Sequence, residues 1–199
     1  MKKENYKFWE RKIIKEINKL WERSDKFLPC HGPTHHIRVW KMAEKFGLKK
    51  KADLEILVAC CLLHDIVAFN KTPIKNHDVA SAKIAKKILK EIKYPPEKIN
   101  IVYQAISSHT SIKKQLGGLE GKIMSSFDKV DAFGAIGVYR IITPMTIRGY
   151  NIDTIVRWFG TGKKLQSKWD SIEFSEIQRE YRKDYLYTVD FFKNLVKYN

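Results

Sequence analysis

The stretch Leu54 to Ile66, LEILVACCLLHDI, restricts the fold of this 199-residue chain more than any other. Nine apolar residues, interrupted only by Glu55, run up to a histidine and an aspartate. A run of that length, rich in Leu and Ala and flanked by charge, suits a helix buried on most sides. Leu54, Leu57, Cys61 and His64 follow at spacings of three, four and three, so His64 continues a core-facing stripe. Polar groups carried inward this way need partners, because burying a charge alone is very costly. A divalent cation satisfies both, since imidazole and carboxylate are common ligands. Bonds from His64 and Asp65 to nearby backbone are the plainer alternative, and the dipeptide alone does not decide between them.

The remaining segments read as helices too. Residues 4 to 23 place Ile13, Ile17, Leu20 and Trp21 on one face. After a loop from Phe27 that carries His31, Thr34 is the expected N-cap of a helix running through Phe46 and stopping at Gly47. Its inner stripe is His35, Val39, Met42 and Phe46; His36 points about 100° away, to the surface or behind the site. A loop with Pro73 leads to Asn76, the expected N-cap of a helix with His77, Ser81, Ile84 and Ile88 on one side. Pro95-Pro96-Glu97 opens the next, where Ile99, Val102, Ile106 and His109 align. Residues 110 to 121, TSIKKQLGGLEG, read as a mobile loop. One long helix is expected from Lys122 to about Ile142, with Met124, Asp128, Asp131, Ala135, Val138 and Ile142 inward. Gly134 and Gly137 would let a neighbouring helix come close. A short helix over 152–159, a basic loop at 160–168 and a final helix from Glu173 to Lys197 complete the chain. No segment alternates as a strand does, so the expected fold is an all-α helical bundle in a single domain, 1–199.

Composition narrows the function. A hydrophobic content of 44% belongs to a folded globular protein, and no apolar run approaches a membrane span. The start, MKKENYKFWERK, lacks the apolar core of a signal peptide, and Cys30, Cys60 and Cys61 lack metal or redox spacing. Three reduced cysteines and a cytoplasmic protein are therefore expected. The net charge of +16 favours anionic ligands. Nucleic acid is not the favoured one: Lys outnumbers Arg 30 to 8, and the lysines are spread over nearly every helix surface.

One pattern recurs in five helices. His35, His64, His77, His109 and Asp128 each lie on the apolar stripe of a different helix. Each alone is more often a hydrogen-bonded core residue than a ligand. Five of them inward from five helices is how bundles build metal sites. All six histidines fall between residues 31 and 109, which fits one site better than scattered packing.

The ordered set His31-Gly-Pro-Thr-His35-His-Ile-Arg38-Val39, then His64-Asp65, then Asp128-Lys-Val-Asp131-Ala-Phe-Gly-Ala-Ile-Gly resembles the HD-domain superfamily of metal-dependent phosphohydrolases, small stand-alone type. The resemblance covers about 25–142 and leaves 143–199 as a helical extension. It implies a divalent-metal site with His35, His64, Asp65 and Asp128 as ligands. His77 and His109 match positions that hold a second metal or contact substrate phosphate in some relatives. Two departures are Gly32, where many members carry Asp, and Phe127, where Ala is commoner.

The expected chemistry is hydrolysis of a phosphomonoester or phosphodiester of a small anionic molecule, with nucleotides the leading class. Asp65 would bridge two ions if His77 and His109 hold the second. His31 would orient a phosphate or donate a proton to the leaving oxygen; a loop histidine that merely closes the site is the equal alternative. Asp131 is a candidate catalytic carboxylate, more naturally one that holds a ligand or Arg38 in place. Arg38 and Lys129 are candidate substrate contacts, with a solvated surface lysine the plainer reading of Lys129. The residue types do not separate Mn, Fe, Mg, Ni, Co and Zn, or one ion from two, and leave the oligomeric state open. Two other classes stay in view: a non-catalytic nucleotide- or nucleic-acid-binding module, and a di-iron oxygenase on the same fold.

Overall fold

The computed structural model describes residues 5–22, 28–68, 74–111 and 115–197. Within them the chain is all α, with no strand. In order the helices are α1 (Asn5–Glu22), α2 (Pro33–Lys50), α3 (Leu54–Leu63), α4 (His77–Glu91), α5 (Pro96–Ser107), α6 (Gly118–Val130), α7 (Gly134–Ile147), α8 (Ile152–Phe159), α9 (Lys163–Asp170), α10 (Ser175–Glu180) and α11 (Arg182–Lys197). A single 3-10 turn, Pro29–His31, precedes α2. The chain divides into two compact units, Met1–Phe127 and Asp128–Asn199, and the boundary falls inside α6. No single described helix is long and apolar enough to cross a membrane.

In the first unit α3 is the central element, packed by α1, α2, α4 and α5. Ile56 through Leu63 are all buried. Covering Leu57, Leu62 and Leu63 contributes on the order of 2 kcal/mol each. The start of α3 is fixed by Asp53, whose carboxylate accepts from the backbone N–H groups of Glu55 and Ile56 at 3.0 and 3.3 Å. Lys98 of α5 reaches Asp53 and Glu55, each at 2.7 Å, and ties the two helices together. Cys30, Cys60 and Cys61 are buried thiols outside any disulfide, and burial pushes the Cys60 thiol up, out of its reactive range.

Several boundaries differ from expectation, each for a local reason. Gly32, not Thr34, caps α2, and Pro33 takes the first helical position. Gly47 does not stop that helix. A Cβ there would meet Leu57 Cδ2 at 2.5 Å, so the glycine admits α3, and α2 continues to Lys50 before Lys51 turns left-handed. Asn76 is the N-cap of α4 as expected, but in the left-handed region (φ 55°) and without a side-chain cap bond. His109 lies in the turn just past α5 rather than on it. The glycine-rich loop is shorter than expected, because α6 already begins at Gly118. Phe27, Pro73 and residues 112–114 lie outside the described residues.

The second unit overturns three further expectations. The long helix from 122 to 142 is two helices, interrupted at Asp131–Phe133. Gly134 has φ +72°, a value that L side chains rarely adopt, and a Cβ on Gly137 would lie 2.2 Å from the Ala132 carbonyl carbon. Both glycines serve the break between helices, and Gly134 also admits a neighbour, since a Cβ there would lie 2.8 Å from Asp184 Oδ1 of α11. Residues 163–170 of the expected basic loop form α9, with Leu165 and Trp169 buried one turn apart. The last helix is split at Tyr181 into α10 and α11. Since the obstacle at Gly137 is backbone, Gly137→Ala is expected to destabilise the protein by about 3 kcal/mol. A urea titration checks this, and an unchanged midpoint would count against the turn.

Candidate metal centre

His35 stands in the first turn of α2, and His64 and Asp65 follow the end of α3 directly. All three are buried. Their ligand atoms lie within 4.8 Å of one another, and the Nε2 atoms of the two histidines are 3.1 Å apart. His64 Nδ1 faces the Cys61 carbonyl at 2.9 Å. A carbonyl oxygen only accepts, so Nδ1 carries the proton, and Nε2 of the neutral ring keeps its lone pair for a ligand.

The same device recurs at His109. Its Nδ1 donates to the Ile106 carbonyl at 2.7 Å, again three residues back. The Nε2 atom then faces Asp65 Oδ1 at 3.2 Å, and His77 Nε2 faces that oxygen at 3.5 Å. Asp65 Oδ2 is 3.9 Å from His64 Nε2. One carboxylate thus has an oxygen toward each histidine group, and Asp65, His77 and His109 form a second candidate ligand set. In the neutral ring, Nε2 and a carboxylate oxygen both offer lone pairs, an arrangement that a cation between them relieves. Imidazole and carboxylate donors without thiolate suit first-row divalent ions. The residues present therefore fit such an ion.

The surrounding chain holds these groups in place. Ser125 Oγ donates to the His109 carbonyl at 3.0 Å, and Thr110 Oγ1 donates to Asp78 Oδ2 at 2.9 Å. The latter bond links the neighbours of His109 and His77, whose rings are 5.6 Å apart. These two helix ends do meet, as an antiparallel pair requires. Asp78 and Thr110 carry no sequence signal beyond adjacency to the histidines, and Ser125 carries none. His36 is not at the surface: it is fully buried, with its ring 5.2 Å from that of His35 and 4.9 Å from that of His64. Burial first, then His64 and His35, holds its pKa well below the usual histidine value. It is a neutral ring packed behind His35 and His64.

His77 is half-exposed, and so is His31, whose ring lies 5.9 Å from that of His35 and whose Nδ1 is 3.1 Å from Cys30 Sγ. Arg38, one turn after His35, is also half-buried. A Cβ at Gly32 would come within 2.9 Å of the Trp21 indole, so any side chain there would require the indole to shift. Phe127 packs edge-on to Phe46 at 5.7 Å. Asp128, the first residue of the second unit, continues the same unbroken helix as Phe127.

A model of the family described as "HD domain" matches residues 34–132. This is an HD-domain protein. The match begins just before His35 and ends just after Asp131, so it contains every candidate site residue except His31. The HD-domain chain is 32% identical over 104 residues to an uncharacterized protein of Clostridium beijerinckii, covering 49% of this chain and 64% of that one. It is 25% identical over 126 residues to YpgQ of Bacillus subtilis, 59% of each. The match thus spans about three fifths of these curated relatives. Among solved structures, YpgQ in complex with ADP superposes with a TM-score of 0.75 at 20% identity, covering 98% of this chain and 96% of that one. An HD-superfamily hydrolase of Bacillus thuringiensis gives 0.69 at 23%, covering 96% and 97%. The fold is that of HD-superfamily hydrolases.

Two expectations about the HD domain's last segment change. Lys129 is neither a solvated lysine nor open to phosphate: it is buried, and its Nζ donates to the Ser171 carbonyl at 2.9 Å. Burial lowers its pKa. Asp131 takes a partner that was not foreseen, accepting from Arg140 Nη1 at 2.9 Å.

Proposed function

We propose that this protein is a divalent-metal-dependent phosphohydrolase acting on a small phosphate ester, with nucleotides the leading substrate class. The observation that carries the reading is the carboxylate of Asp65, shared between His64 on one oxygen and His77 and His109 on the other. We assign His35, His64, Asp65 and Asp128 to one ion, and Asp65, His77 and His109 to a second ion or to substrate phosphate. Asp128 enters through its place in the family pattern and its position on α6. The HD-like core of about 25–142 and the extension 143–199 then act as a single domain. The ADP bound by YpgQ supports the choice of nucleotides.

A divalent ion held there supplies charge withdrawal from the phosphoryl group and acidifies a water. The chain's own residues do the rest. His64 and His109, each proton-locked at Nδ1 by a carbonyl, present Nε2 without needing to reorient. His31, half-exposed beside His35, orients a phosphate oxygen or passes a proton to the leaving group. Arg38 offers a planar fork to phosphate from the outer end of the same turn.

Metal analysis of the purified protein, joined to a phosphatase screen over nucleotides, cyclic nucleotides and sugar phosphates, tests this. Bound ion together with release of phosphate from a nucleotide is the expected result. Bound ion with no ester cleaved would overturn it. Two irons with a visible charge-transfer band would point instead to an oxygenase.

A further inference from the structure

Asp128 and Asp131 are one turn apart, so both carboxylates project to the same side of the chain as α6 ends. Arg140 returns to them from the second turn of α7. It is buried, with Nη1 donating to Asp131 Oδ2 at 2.9 Å and Nη2 3.9 Å from Asp128 Oδ1. The guanidinium is a rigid planar fork, so the short bond to Asp131 also fixes where the second nitrogen points. One positive charge faces two carboxylates. The looser contact falls on Asp128.

We propose that Arg140 is a positioning residue for Asp128, holding its carboxylate in the orientation that ligates metal; this rests on the reading of Asp128 as a ligand. The C-terminal extension sets Arg140 in turn. Gly134 N–H, at the start of α7, donates to Thr188 Oγ1 of α11 at 2.8 Å, and Thr188 Oγ1 donates to the Asp184 carbonyl at 2.9 Å. Phe133 meets Trp169 and Tyr185 edge-on at 5.3 and 5.6 Å. Lys129 is tied to Ser171. The segment from Lys129 to Gly134 is thus pinned by α9, Ser171 and α11, which gives them a part in placing Asp128 without a ligand of their own.

The test is Mn2+ affinity, measured by calorimetry on full-length protein, beside the melting temperature of the metal-free form. Arg140→Met is expected to weaken Mn2+ binding by about 10- to 100-fold, and Arg140→Lys by less. Removing the arginine takes a cationic partner at 2.9 Å from the buried Asp131 carboxylate, so the variant Asp131→Asn/Arg140→Met is included. It relieves that burden on folding and still binds Mn2+ weakly. A merely structural arginine would lower the melting temperature and leave Mn2+ affinity intact. Unchanged or tighter binding in Arg140→Met, or in the double variant where the single one does not fold, would overturn the proposal. Asp128→Ala separates the two layers. Wild-type affinity in that variant removes Asp128 as a ligand, whereas weakened binding there with normal binding in Arg140→Met removes only the role of Arg140.

Discussion

Asp65→Ala is expected to lose both ion positions at once and to lower turnover by about 10^3-fold or more. Among the described residues, no other side chain has one carboxylate oxygen toward His64 and the other toward His77 and His109. Losing an ion's stabilisation of the transition state costs several kcal/mol, and about 4 kcal/mol is three decades in rate. The fold should survive, because the change removes a buried anion and opens only a small space among polar rings. Metal content and turnover on the best substrate read the outcome. An Asp65→Ala protein that keeps two ions would end the shared-carboxylate reading.

The second expectation concerns His77 and His109, which distinguish a two-ion site from a one-ion site. His77→Ala and His109→Ala should each lower turnover by about 10^2-fold, equivalent to about 2.7 kcal/mol, and leave one ion bound. His35 and His64 face each other independently of this pair, so the first position persists. The two variants should differ in stability. His109 is buried and its loss leaves a cavity, whereas His77 is partly exposed and its loss costs little. Full activity in both variants would make the histidines structural and the enzyme a one-ion enzyme.

The parts of this site that were legible in the sequence are those written in helical period. His35, His64 and Asp65 stood out because the apolar residues of α2 and α3 recur at three and four and carry them inward. His77 and His109 were legible for the same reason, and the short turn between α4 and α5 brings their helix ends together. Other residues left no such trace. Arg140 sits in an otherwise uncharged helix, and nothing local says that it is buried against two aspartates. Lys129 looked like one surface lysine among thirty. His36 pointed off the stripe, which says only that it avoids one neighbour, not that another covers it. The Leu165 and Trp169 pair did carry a signal for α9, masked by the lysines around it.

The interruption at residues 131–133 shows the limit most clearly. The apolar stripe from Met124 to Ile142 keeps helical spacing across the break, so periodicity read one helix where there are two. Spacing reports which positions are covered; it is blind to what covers them and to a turn that preserves the count. The sequence by itself determined an all-α fold, the buried α3 and the inward histidines, because each follows from local repeats and from the cost of exposing apolar side chains. Only the tertiary structure decided that Gly134 and Gly137 make a turn, that Thr188 closes it and that Arg140 lies between Asp128 and Asp131. Those outcomes depend on contacts between residues far apart in the chain, and such contacts have no period to read.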